Sequence, residues 1–105
     1  MTSDDRIQTL RELAERKNKP LHWYGLAMAL RDAGESEEAV LVFRRIHKLD
    51  PEYVPAYFMR AQVHEERDEV SEARAALEEG IEVAVRTGDD HAASEMRSML
   101  DTLPL

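Results

Sequence analysis

The chain contains no cysteine, which removes a disulfide framework, a thiol nucleophile and a thiolate metal site from consideration. That absence suits a reducing cytoplasmic location. Four glycines and four prolines in 105 residues are too few for a turn-rich sandwich or a low-complexity linker. No apolar run approaches the ~20 residues of a membrane span, and the opening Met1-Thr2-Ser3-Asp4-Asp5-Arg6 does not read as a secretory leader. Positive charge is scarce in the second half. Residues 54–105 hold five Lys and Arg against twelve Asp and Glu, while residues 1–53 hold nine against ten, which gives the overall net charge of −8. A nucleic acid partner needs a basic surface to displace counterions from phosphates, so the composition argues against one. The acidity serves solvation or steers a basic partner. What is present is a globular balance, 43% apolar and 34% charged, at a length typical of one domain.

Between punctuation at Asn18-Lys19-Pro20, Gly34-Glu35-Ser36, Asp50-Pro51, Asp68 to Ser71 and Thr87-Gly88-Asp89, apolar residues recur at spacings of three and four. This is helical periodicity, and no stretch alternates with period two for long enough to make a strand. Six helices are expected, joined as antiparallel hairpins. The first covers about Asp4 to Arg16, capped by Ser3, with Ile7, Leu10, Leu13 and Ala14 as its stripe. The second runs from about Leu21 to Ala33 and stops at Gly34. The third, about Glu37 to Lys48, has Ser36 as its cap and Val40, Phe43 and Ile46 inward. The fourth covers about Val54 to Arg67, with Pro55 tolerated in its first turn. The fifth follows Ser71 to about Arg86, carrying Ala73, Ala76, Leu77, Ile81 and Ala84. The sixth, about Asp90 to Thr102, brings Ala92, Met96, Met99, Leu100 and Leu103.

A shift of 34 residues superposes Trp23 on Tyr57, Tyr24 on Phe58, Ala27 on Ala61, Glu38 on Glu72, Ala39 on Ala73 and Phe43 on Leu77. The order Trp23-x2-Leu26-Ala27-x2-Leu30, then Ala39-x3-Phe43, then Asp50-Pro51 resembles the tetratricopeptide repeat (TPR) family pattern. The resemblance implies an all-α fold, a right-handed superhelical stack of antiparallel helix hairpins with about six helices. Residues 20–53 match well as one repeat, and residues 54–87 form a degraded second copy. In that copy Tyr57, Ala61, Ala73 and Leu77 fit, but Arg60, His64 and Val85 stand where the family has an aliphatic, a large apolar residue and a proline. Residues 1–19 read as the remainder of a preceding unit and residues 88–105 as a capping helix, so that the chain makes a single domain. The core of the repeat is then Trp23, Leu26, Ala27, Leu30, Ala39, Phe43, Pro51, Tyr57, Ala61, Ala73 and Leu77.

Catalytic patterns are missing from the sequence. His22, His47, His64 and His91 lie on separate helices without metal-ligand spacing, and adjacent pairs such as Glu65-Glu66 and Glu78-Glu79 diverge by about 100° around a helix. His64 reads as a packing residue, and His91 with Glu95 as a solvated helix start. Neither a phosphate loop nor a nucleophile elbow occurs. No enzyme activity, metal or cofactor is expected. The family resemblance instead implies a concave groove lined by the first helix of each hairpin. Carried onto this sequence, its positions are Leu21, Tyr24, Met28 and Arg31, and then Phe58, Met59, Gln62 and Glu65. Trp23 and Tyr57 would turn the other way, into the hairpins. Tyr24, Met28 and Met59 replace the basic clamp by which one TPR subtype grips a chaperone's C-terminal carboxylate. The partner implied is a protein, a peptide or an amphipathic helix with basic residues beside apolar anchors, and not a membrane. A second copy of the chain, burying the groove in a dimer, is the alternative occupant.

Overall fold

The computed structural model describes residues 2–105, and every residue placed in regular structure among them is helical. The chain divides into two compact units, one ending at Asp50 and the other spanning Pro51–Leu105. In the first, α1 (Ser3–Lys17) packs on α2 (Pro20–Asp32), and α2 packs on α3 (Ser36–Leu49). The second repeats this order with α4 (Val54–Glu66), α5 (Val70–Thr87) and α6 (Asp90–Thr102). Each unit is thus three consecutive antiparallel neighbours, and the six helices form an all-α, TPR-like fold.

Helix boundaries fall within a residue or two of the sequence reading, but two caps differ. Thr2, not Ser3, caps α1, because its hydroxyl accepts the Asp5 N–H at 3.2 Å while its own N–H reaches the Asp5 carboxylate at 3.4 Å. This reciprocal pair satisfies two backbone donors that a helix start leaves open. Ser36 is not a cap either. Gly34 sits in the left-handed region at φ 81°, and the Glu35 N–H donates back to the Leu30 carbonyl at 2.8 Å. That closure makes Glu35 the joint between α2 and α3, so Ser36 is already helical. The same closure recurs at Asp68 (φ 60°), where the Glu69 N–H meets the His64 carbonyl at 2.9 Å. Gly34 and Asp68 are one 34-residue repeat apart, so the turn is conserved in geometry though not in residue.

Large side chains in the first unit close over small ones. Leu26, Leu30, Phe43 and Ile46 are fully buried beside Ala27 and Ala39. In α3 it is Val42 rather than Val40 that is buried, because α3 turns its Ala39–Val42–Phe43–Ile46 face inward. The core of the second unit holds Tyr57, Ala61, Ala73, Ala76, Leu77, Val83, Ala84, Ala93, Met96 and Leu103. On α6 the inward residues are Ala93 and Met96, with Ala92, Met99 and Leu100 packed half-buried around them. Ile81 is half-buried likewise.

Gly80 is buried in the middle of α5, where glycine costs ~1 kcal/mol against alanine in helix propensity. Packing explains its presence. A Cβ at this position would stand 2.7 Å from the Tyr57 Cβ and 2.6 Å from the Met96 sulfur. The methionine could swing away, but the Tyr57 Cβ is fixed to the α4 backbone. Gly80→Ala should therefore lower stability by about 1–3 kcal/mol through overpacking, despite the better helix former. Urea unfolding checks this; a variant as stable as the parent would mean that α4 and α5 do not approach so closely at Tyr57.

Candidate functional site

The eight residues assigned to partner binding lie on two helices in different units. On α2, Leu21 is 65% exposed, while Tyr24, Met28 and Arg31 are half-buried. Spacings of three and four place these residues on one side of the helix. The Tyr24 ring meets Phe43 of α3 edge-on, with centroids 6.1 Å apart and planes at 64°, a favoured aromatic geometry. Tyr24 is thus anchored on its own hairpin along one edge. On α4, Phe58, Met59 and Gln62 are half-buried and Glu65 is exposed. Phe58 also packs against the core of its unit.

The rings assigned to the interior turn the other way. Trp23 is 4% exposed and Tyr57 5%, and each ties its polar end to the loop that precedes its helix. The indole N–H of Trp23 donates to the Asn18 side-chain oxygen at 2.9 Å, and the Tyr57 hydroxyl donates to the Pro51 carbonyl at 2.7 Å. Pro51 itself is at the surface, so its place in the repeat is the loop and not the packed interior. The Arg45 guanidinium lies 4.4 Å over the Trp23 ring, a cation–π arrangement. Pattern reading singled out neither Asn18 as the indole's partner nor Arg45, because both contacts join residues through space and not by period.

Of the three departures in the second repeat, Arg60 and His64 are buried and Val85 is exposed. Arg60 is 3% exposed and its Nη2 reaches the Glu79 carboxylate at 3.2 Å, so the long side chain carries its charge out to an exposed acid. His64 is 5% exposed, and its Nδ1 lies 2.9 Å from Glu69 Oε1 across the turn between α4 and α5. That hydrogen bond holds the Glu69 carboxyl below its ordinary value of 4.5, with the charge of Arg67 adding to the effect. In the first unit, Glu38 pairs with Arg11 at 2.5 Å and raises the guanidinium's pKa. His91 pairs with Glu95 one turn along, on the exposed side of α6. Among the described residues no group of three or more His, Asp or Glu could hold a metal ion. No helix among them is long and apolar enough to cross a membrane.

The paired hairpins, each with a ring closed over alanines at a 34-residue interval, define a helical repeat protein. A sequence profile described as tetratricopeptide repeat matches residues 20–63. A TPR repeat-containing protein of Pseudomonas aeruginosa is 30% identical over 91 residues, covering 87% of this chain and 87% of its own. The solution structure of a tetratricopeptide repeat domain protein from Salinibacter ruber is similar at a TM-score of 0.74 and 27% identity, over 78% of this chain and 83% of that one. At the level of fold, the Yersinia enterocolitica type III secretion chaperone SycD, in complex with a peptide of the translocator YopD, is similar at a TM-score of 0.82 and 18% identity. That match spans 94% of this chain and 77% of that one. The chain belongs to the tetratricopeptide repeat family.

Glu69 gives the turn between α4 and α5 a pH dependence of known sign. A carboxyl held low in the folded state stabilises above its ordinary value, and the contribution is lost as pH falls through the folded value. Glu69→Gln should therefore melt below the parent at neutral pH, and the two melting curves should converge on acidification below 4.5. A gap between them that persists in acid would show that the carboxylate's charge is not what holds the turn.

Proposed function

We propose that the chain is a non-enzymatic protein-interaction module that takes a peptide or helix of a partner on the α2 and α4 faces. The observation that carries this reading is a second apolar set left over once the cores are filled. Leu21, Tyr24, Met28, Phe58 and Met59 escape full burial, whereas Trp23, Leu26, Tyr57 and Ala61 are buried on the same two helices. Large apolar side chains at a surface are costly to solubility unless they are used. Methionine adapts to a partner's shape, and tyrosine is a common anchor. Arg31, Gln62 and Glu65 supply polar neighbours, and the acid at Glu65, Glu66 and Glu69 favours a partner with Lys or Arg beside its apolar anchors. Support also comes from SycD, a similarly folded protein whose structure includes a bound peptide. The two repeats at 20–53 and 54–87 each supply one such face, and a cysteine-free chain suits the cytoplasm.

The test must spare the hairpins. Tyr24 and Phe58 both touch their own units, so Leu21→Glu with Met59→Glu is the cleaner pair. Partners cross-linked to the parent in its source cells, and then purified, should bind the double variant at least about tenfold more weakly with an unchanged circular dichroism spectrum. Equal binding by both proteins would remove α2 and α4 from the interface. Light scattering over a concentration series separates the alternative occupant: a mass that doubles for the parent and stays monomeric for the variant would assign these faces to a second copy.

A further inference from the structure

A second surface lies at the end of the first unit, where α1 and α3 finish. Asn18, Arg45, Lys48 and Leu49 line an open cleft of about 500 Å³ there, within the size range of ligand sites. None of its lining residues is acidic. Among their neighbours in sequence, Lys17 and Lys19 flank Asn18 and Arg44 precedes Arg45, against one acid, Asp50, after Leu49. The first fifty residues have equal numbers of basic and acidic side chains, so this cluster is a local concentration and not a general excess.

Two details separate the cleft from an ordinary solvated helix end. The Arg45 guanidinium is already held in place, its carbon 4.4 Å from the Trp23 ring centroid. A guanidinium carries five N–H donors, and a cation–π contact to a ring consumes none of them as a hydrogen bond to an oxygen. Leu49 is 40% exposed beside the two cations, an apolar surface next to charge. An isolated exposed ion pair is weak. Two cations around a concavity, one of them preoriented, together with an apolar contact, form a better receptor.

We infer that this cleft binds an acidic peptide segment, with carboxylates on Arg45 and Lys48 and an apolar side chain on Leu49. The module would then have two docking surfaces of opposite preference, basic segments on α4 and acidic ones at the α1–α3 end. The probe is a fluorescein-labelled peptide of glutamates with interspersed leucines, compared with its glutamine–leucine counterpart by fluorescence anisotropy. Only the acidic peptide should bind, and raising salt from ~50 to ~500 mM should weaken it as screening tightens. Lys48→Glu, which leaves the Trp23 contact intact, should weaken binding at least about tenfold; Lys48→Arg should retain it. Leu21→Glu with Met59→Glu should leave it unchanged, which separates this cleft from the α2 and α4 faces. Equal binding of the neutral peptide, or indifference to Lys48→Glu, would overturn the inference. So would salt-sensitive self-association that Lys48→Glu abolishes, since the cleft would then belong to a second copy.

Discussion

The close approach of paired helices at alanine and glycine is the constraint on which the rest of the structure depends. Ala27 and Ala39 in the first unit, and Ala61, Ala73 and Gly80 in the second, have no surface left to solvent or nearly none. Only such small residues let large neighbours fill the remaining volume at the density of a protein interior. Phe43 and Leu77, 34 residues apart, do that filling and are both completely buried. Truncating the buried Phe43 ring to alanine ordinarily costs about 3–5 kcal/mol, a large part of a domain's ~5–15 kcal/mol. Once these positions are fixed, the residues one step along the same helices cannot reach the interior fully. Tyr24 beside Trp23, and Phe58 beside Tyr57, are left half-buried by helix geometry alone.

The repeat therefore uses adjacent aromatic residues for different purposes. Trp23 and Tyr57 bury their rings and fasten the loops before their helices, one through the Asn18 side chain and the other through the Pro51 carbonyl. The equivalent positions Arg45 and Glu79 show how a repeat diverges without losing its fold. In the first copy a cation sits on the ring of Trp23, and in the second an acid takes the charge of buried Arg60. Each copy gives its own polar insertions a partner nearby, Glu79 for Arg60 and Glu69 for His64, and the degraded second repeat still packs.

Much of this was legible in the sequence because period and phase are properties of the chain. The six helices, the turns at Gly34 and Gly88, and the rings closing each hairpin all follow from spacing. The caps were read less well, since Thr2 and Ser3 are both competent and only the Asp5 contact decides between them. Gly80 carries no signal in the sequence, for its meaning lies in the Tyr57 Cβ on another helix. Val40 and Val42 are not separated by the periodic pattern, and only the rotation of α3 in the packed unit selects Val42 for burial. Of the proposed binding faces, the positions on α2 and α4 came from family resemblance, while the Tyr24–Phe43 contact had to be seen. The Asn18, Arg45, Lys48 and Leu49 cleft joins the ends of two helices some thirty residues apart, a proximity no local pattern encodes.

The sole tryptophan permits a direct test of the packing on which all of this rests. Trp23 fluorescence in the native protein should be blue-shifted relative to the unfolded chain and poorly quenched by acrylamide. Both properties should be lost in urea at the same midpoint as helical circular dichroism. Native emission already at the position of the unfolded chain, with full access to quencher, would contradict the account, because a solvent-exposed Trp23 leaves the hairpin without its closing ring.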